Sequence, residues 1–226
     1  MSRSRSLPVL LALAAVTASS APAPLRVKAS PVVSPCVAAA AALYQRTTGR
    51  AIAVSTVALG DPASVEGADV VVAADAELNR IIESGSTHRD LDVDVARIPW
   101  VLVGASGQAP DVAALSRSSE TVGVLGGVVA REARRLLPRQ GFASSRLRGL
   151  DRADVPLPRG NTEPAIVPLS LAGDLPVTSL SLPSITARAL GVRSSTRTDA
   201  ARAFLGFLTG EAGNAAFRAC GRTESR

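Results

Sequence analysis

Asp69 to Ala73 is a near-continuous apolar run with Val70-Val71-Val72 at its centre. A short run of this kind predicts a strand buried on both faces, as in a parallel sheet. Leu78, Ile81 and Ile82 follow at helical spacing, and Gly85 stops the pattern, so a helix succeeds the strand. The preceding segment has the same grammar. Leu25 to Ala29 alternates as a short strand, and Val37 to Tyr44 is an apolar helical run. Ser34-Pro35 opens that helix, with Ser34 as its cap, and Gly49 closes it. Ala51 to Val57 is rich in β-formers, and Gly60-Asp61-Pro62 marks a turn. Strand, helix, strand, strand and helix joined by short links predict an α/β architecture.

The pattern continues through the rest of the chain. Trp100 to Val103 and Thr121 to Leu125 predict buried strands, with a short helical piece at Val112 to Leu115 between them. Gly126-Gly127 leads into a helix over Val128 to Leu137, broken by Pro138 and Gly141. Residues 142–164 are rich in Arg, Pro and Asp and lack periodicity, so they read as a connection. Ala165 to Leu171 and Val177 to Leu182 predict strands, and Arg188 to Val192 continues the strand system. Thr198-Asp199 caps an amphipathic helix with Ala201, Phe204, Leu205 and Leu208 on one face. Gly210 ends it, and Glu211 to Ala219 forms a last helix. Ser84 to Asp90 reads as a polar loop, and the alternation of Asp90, Asp92 and Asp94 as a solvated acidic face.

The first residues have the pattern of a secretory leader. Arg3 and Arg5 precede an apolar run, Leu7 to Val16, which is too short to span a bilayer, and small residues follow to Ala23. Residues 1–23 are therefore expected to be a signal peptide, and the mature chain to lie outside the cytoplasmic membrane, in a periplasm or at the cell surface. In that setting Cys36 and Cys220, near the two ends of the mature chain, are expected to form a disulfide. Apolar residues make up 46% and aromatics 3%, so the core is built from Ala, Val, Leu and Ile.

The census of reactive side chains points away from catalysis. His88 is the one histidine and Lys28 the one lysine, and no nucleophile elbow of the form GxSxG occurs. A zinc site takes three or four His, Cys or carboxylate ligands, which one histidine and two distant cysteines do not supply. Gly123-Val124-Leu125-Gly126-Gly127 is not a dinucleotide fingerprint. No enzyme activity, metal or cofactor is expected. The net charge is +6, but the arginines are scattered and form no basic recognition helix, so no nucleic-acid partner is expected either.

Ala68-Asp69-Val70-Val71-Val72-Ala73-Ala74-Asp75 resembles the third strand and helix start of periplasmic solute-binding proteins of ABC importers, most closely the molybdate-binding family. Ala203 to Gly213 and Phe217 with Gly221 are similar to that family's C-terminal helix pair. The resemblance implies a two-lobed binding-protein fold, each lobe a mostly parallel sheet flanked by helices. Residues 24–98 and 183–226 would form one lobe and 99–182 the other. It implies a monomeric receptor that delivers a small oxyanion, of the molybdate or tungstate kind, to an ABC permease and its ATPase. The chain departs from the family in two places. Ser55 to Gly60 is short and poor in hydroxyls, and Pro168 and Ser170 stand where the family carries a tyrosine.

An ionised oxyanion can be held by helix N-termini and hydroxyls without counter-charges. Three strand-to-helix junctions offer this: Ser30 to Ser34, Ala74-Asp75, and Gly126-Gly127. The candidate ligand set is therefore Ser30, Ser34, Ala74, Gly126 and Gly127, the first three on one lobe and the glycines on the other. Asp75 is expected to cap its helix rather than touch an anion, and Asn161-Thr162 to lie at a hinge or lip. The shortened loops support an alternative, an exported receptor-like domain that has lost transport and acts in sensing or protein interaction.

Overall fold

In the computed structural model, which describes residues 23–104, 108–150 and 163–220, the Val70-Val71-Val72 run sits at the middle of a five-stranded sheet. The expected leader up to residue 22 and Asn161-Thr162 lie outside the described residues. The first half of the chain forms β1 (Leu25–Ala29), α1 (Ser34–Thr48), β2 (Ile52–Thr56), β3 (Val70–Ala74), α2 (Asp75–Glu83) and β4 (Thr87–Ile98). Every residue of β3 is buried. Its pleat feeds two cores: Val70, Val72 and Ala74 join the main cluster with Val37, Ala40 and Phe204, while Val71 and Ala73 join Leu78 and Ile81 of α2. A strand covered on both faces needs apolar residues at every position, which is why its sequence does not alternate.

The chain then crosses at Pro99 into a second sheet built from β5 (Trp100–Val103), α3 (Val112–Arg117), β6 (Val122–Leu125), α4 (Ala130–Leu136), β7 (Leu147–Leu150), β8 (Ala165–Pro168), α5 (Leu169–Ala172) and β9 (Val177–Ser179). It returns through residues 180–184 to β10 (Ile185–Val192), which completes the first sheet, and ends in α6 (Thr198–Thr209) and α7 (Glu211–Ala219). The sheet orders are β2-β1-β3-β10-β4 and β7-β6-β8-β5-β9. Each sheet is mixed rather than mostly parallel: three strands pair in parallel (β2, β1, β3; β7, β6, β8), one strand runs against them (β10; β5), and the last pairs antiparallel with that one (β4; β9).

Two stretches read as loop are strands. His88, Arg89 and Asp90 belong to the long strand β4, whose Thr87, Leu91, Val95 and Ile98 are buried while Arg89, Asp90, Asp94 and Arg97 are exposed at the sheet edge. Register shifts in its pairing with β10 break the strict period of two that a sequence pattern needs. Within 142–164, Leu147–Leu150 pairs in parallel with Val122–Leu125 as edge strand β7. Its Arg148 and Gly149 are exposed, so no apolar pattern announces it. Helix caps also shift, and at α6 the cap position falls to Arg197, with Thr198-Asp199 inside the helix and no side chain capping it. Val33, not Ser34, is the cap of α1, and α4 begins at Ala130, two residues beyond Val128, and passes into a 3-10 turn at Leu137–Gln140.

The C-terminal helices close the first lobe. Tyr44 of α1 meets Phe204 and Phe207 of α6 edge-on, with ring centroids 5.3 and 5.1 Å apart. Cys36 in the first turn of α1 is bonded to Cys220 at the end of α7, with their Cα atoms 5.1 Å apart. Among the described residues no helix is long and apolar enough to cross a membrane.

Candidate functional site: the cleft between the lobes

Parallel strands place their carboxyl ends, and the helix starts that follow, on one edge of a sheet, where α/β proteins hold ligands. In the first lobe that edge is formed by Ala29, Thr56 and Ala74, the last residues of β1, β2 and β3. In the second it is formed by Leu125 and Pro168, the last residues of β6 and β8. A cavity of about 250 Å³ lies between the lobes, lined by Ala74 and Asp75 from the first and by Trp100, Val129 and Glu132 from the second. Ser184, Ile185 and Thr186, where the chain returns to the first lobe, form its back. A larger cavity, about 760 Å³, opens beside Tyr44, Arg50 and Asp199. It sits at the amino ends of β1 and β2, beside the start of α6 at Thr198, Asp199 and Ala200, and on the first lobe alone.

Ser30 follows β1 directly and is fully buried. Its amide donates to the Val72 carbonyl at 2.9 Å, and its own carbonyl accepts the amides of Val33 and Ser34 at 3.0 and 2.9 Å. Its hydroxyl has no hydrogen-bond partner. It lies beside the Glu77 carboxylate, near enough to favour that group's charged form, but not in hydrogen-bonding geometry. Ser34, released from the capping position by Val33, turns its Oγ to Thr56 Oγ1 at 2.5 Å. The two hydroxyls thus pair across the ends of adjacent strands.

Ala74 lines the inter-lobe cavity, and its amide donates to Glu77 Oε2 at 3.1 Å. A glutamate at the third helical position reaches back to the cap in this way, since an alanine there has no side chain to offer. Burial pushes the Glu77 carboxyl up from its ordinary value of 4.5, against the smaller opposing effects of Ser30 and Ala74. Asp75 does not cap α2. Its Oδ1 accepts from Arg188 at 2.5 Å, and Arg188 also holds Asp92 at 2.5 Å and stands 3.7 Å from Asp94. The hydrogen bond that Arg188 donates to Asp75, with those to Asp92, raises the Arg188 pKa.

Gly126 and Gly127 link β6 to α4. A methyl group at Gly126 would stand 3.1 Å from the Leu150 carbonyl, so the residue packs against β7. Gly127 adopts φ +83° with open space above its α-carbon, a conformation that residues with side chains rarely take. Val128 next to it is 37% exposed. Ser30, Ser34 and Ala74 thus share one edge of the first lobe, and the glycines stand on the corresponding edge of the second. Of the five, Ala74 lines the cavity.

Four groups at this edge were not in the candidate ligand set, although Thr56 and Ser170 fall in the two segments where the chain departs from the family. Thr56 was signalled only by its register beside Ala29. Glu77 was signalled by its three-residue offset from Ala74, a capping spacing. Trp100 carries no local signal, and Ser170 was marked only as a departure from the family's tyrosine. Ser170 Oγ donates to the Val32 carbonyl at 2.5 Å and so joins the second lobe to the start of α1. Among the described residues no group of three or more His, Cys, Asp or Glu side chains is arranged to hold a metal ion.

Two α/β sheets, joined by two crossings and facing each other across a cleft at their strand ends, define the two-lobed periplasmic-binding-protein fold. No known protein family pattern matches the sequence, and no curated protein sequence does. The likeness is one of structure. The periplasmic molybdate-binding protein of Azotobacter vinelandii superposes with a TM-score of 0.70 at 15% identity, over 89% of this chain and 100% of that one. The sulfate-binding protein SubI of Mycobacterium tuberculosis gives 0.64 at 17% identity, over 87% and 85%. The iron-bound protein HitA of Pseudomonas aeruginosa gives 0.57 at 15% identity, over 86% and 84%.

Proposed function

We propose that the protein is an extracytoplasmic solute receptor of an ABC importer, which closes its lobes on a small tetrahedral oxyanion, the class that includes molybdate and tungstate, and presents it to a permease and ATPase. The observation that carries this reading is the fully buried Ser30 hydroxyl, left without a partner at the start of α1. A buried polar group without a partner is rare in a native protein, and an incoming ligand is one way to satisfy it. An oxyanion there would meet the Ser30 and Ser34 hydroxyls and the first-turn amides of α1. From the second lobe it would meet the backbone at Gly126 and Gly127. The Ala74 amide joins the set once Glu77 yields it. The reading is of a monomeric binder without catalysis or cofactor, placed in the periplasm or at the cell surface.

The cheap test is thermal melting of the mature protein with molybdate, tungstate, sulfate and phosphate in turn. A solute that binds only the native state raises the midpoint, by about 2.7 kcal/mol of stability at a hundred times its dissociation constant. A midpoint indifferent to all four anions would sink the oxyanion reading. It would favour the second, a receptor-like domain used for sensing or protein interaction, to which the carboxylate of Glu77 on the α2 amide already lends weight.

A further inference from the structure

We infer that the first lobe carries a second binding site, away from the cleft, for a small organic acid with an apolar body. This site goes beyond the receptor reading and does not depend on it. It is the cavity of about 760 Å³ at the amino ends of β1 and β2. A single tetrahedral oxyanion is far too small to fill that space, which matches the hollows that hold drug-sized ligands.

Three independent features line it. Tyr44 of α1 is 4% exposed and borders the cavity. Its ring is fixed by Phe204 and Phe207, yet its hydroxyl has no hydrogen-bond partner among the described residues. The hydroxyl oxygen is not sealed in the core, so its free side faces the cavity. A second wall is the start of α6, with Thr198, Asp199 and Ala200. No side chain caps this 12-residue helix, so its first amides keep their donors free. The third feature is Arg50, exposed in the link between α1 and β2 and without a carboxylate partner among the described residues. Its amide donates to Thr48 Oγ1 at 3.2 Å, which holds the link in place. Hydroxyl, helix amides and guanidinium all donate, and together they call for an acid group. The other charges here are already engaged. The Asp199 side chain is fully exposed and stands 3.5 Å from Arg202. Arg197 is held by Asp69 and by the carbonyls of Ala23 and Pro24. Leu25, Ala51 and Ala200 supply apolar wall, so the acid needs an apolar body as well as its charge.

The competing account is a wet surface hollow that takes no ligand. Anilinonaphthalene sulfonate, an amphipathic anion whose fluorescence rises when it leaves water, is titrated into wild type, Tyr44→Phe and Arg50→Ala. Phenylacetate and its neutral counterpart phenylethanol are the competitors. Wild type is expected to bind the dye at one site and to release it to phenylacetate but not to phenylethanol. Tyr44→Phe keeps the ring packing and removes a hydroxyl that bonds nothing in the protein. Its melting midpoint should therefore equal that of wild type, while dye affinity falls about tenfold, the loss of one hydrogen bond to a charged group. Arg50→Ala changes an exposed position and so guards against a folding artefact; it is expected to lose affinity to a similar degree. Undiminished affinity in either variant overturns the site. So does displacement by phenylethanol as readily as by phenylacetate, or no binding of either the dye or phenylacetate. None of these results touches the oxyanion reading, which stands or falls on the melting panel.

Discussion

The Ser170 hydroxyl, carried by the second lobe, donates to the Val32 carbonyl of the first at 2.5 Å, and both residues are buried. This bond joins the lobes at the foot of the cleft, beside the Pro99 crossing. Ser170→Ala removes the donor and strands the Val32 carbonyl where water does not replace it. The expected loss is about 1–3 kcal/mol, the desolvation cost of an unsatisfied buried group. Urea unfolding of the ligand-free protein measures it. An unchanged midpoint would mean that the lobes hold their positions without this bond.

The disulfide Cys36–Cys220 closes a loop with a sequence separation of 184 and clamps α1 to α7. The chain-entropy account gives such a loop about 5 kcal/mol as an upper limit. Melting in the presence and absence of a strong reductant is expected to show a lower midpoint for the reduced protein. Equal midpoints would show that the Tyr44, Phe204 and Phe207 packing fixes these helices unaided.

How far the sequence discloses this molecule depends on whether the relevant interaction is local. β3 is legible because burial on both faces writes itself into five consecutive residues. The C-terminal helix α6 is legible because one face of it meets the core. Edge strands β4 and β7 are not, because what defines them is backbone pairing with distant partners while their exposed residues stay polar. The candidate site divides in the same way. Ser30, Ala74 and Gly126 follow strands recognisable from composition. Asp75 was misjudged as a cap because its true partner, Arg188, lies 113 residues later. With Asp75 drawn away, the Ala74 amide falls to Glu77, a carboxylate placed there by helical geometry.

Asp69 makes a pH-dependent contribution to folding. It is 1% exposed and accepts from the Arg26 amide at 2.8 Å and the Ser195 hydroxyl at 2.7 Å, with the Arg197 and Arg26 guanidinium groups 3.5 and 3.6 Å away. Burial alone would push its carboxyl up, but these partners together hold it below the ordinary 3.8. A depressed carboxylate stabilises the fold above the unfolded-state value, and that contribution drains away as pH falls below about 3.8. Asp69→Asn is expected to destabilise the protein at pH 7 by roughly 2–4 kcal/mol, because it leaves a buried network without its anion. It should also flatten the acid limb of stability against pH. An acid limb as steep in the variant as in wild type would assign that limb to other carboxylates.

Glu77 contributes with the opposite sign. Its folded-state carboxyl is raised by burial above 4.5, so the native state binds its proton more tightly than the unfolded chain does. Stability from this group is complete below about 4.5 and declines as pH rises through the folded value, beyond which it is flat. Glu77→Gln is permanently uncharged and retains an oxygen acceptor for the Ala74 amide, so its ligand-free stability should lack that decline. The measurement is the difference in urea midpoint between wild type and variant across pH 4 to 8. The variant is expected to gain on wild type as pH rises. A difference constant across the range would mean that Glu77 ionises without cost in the native state.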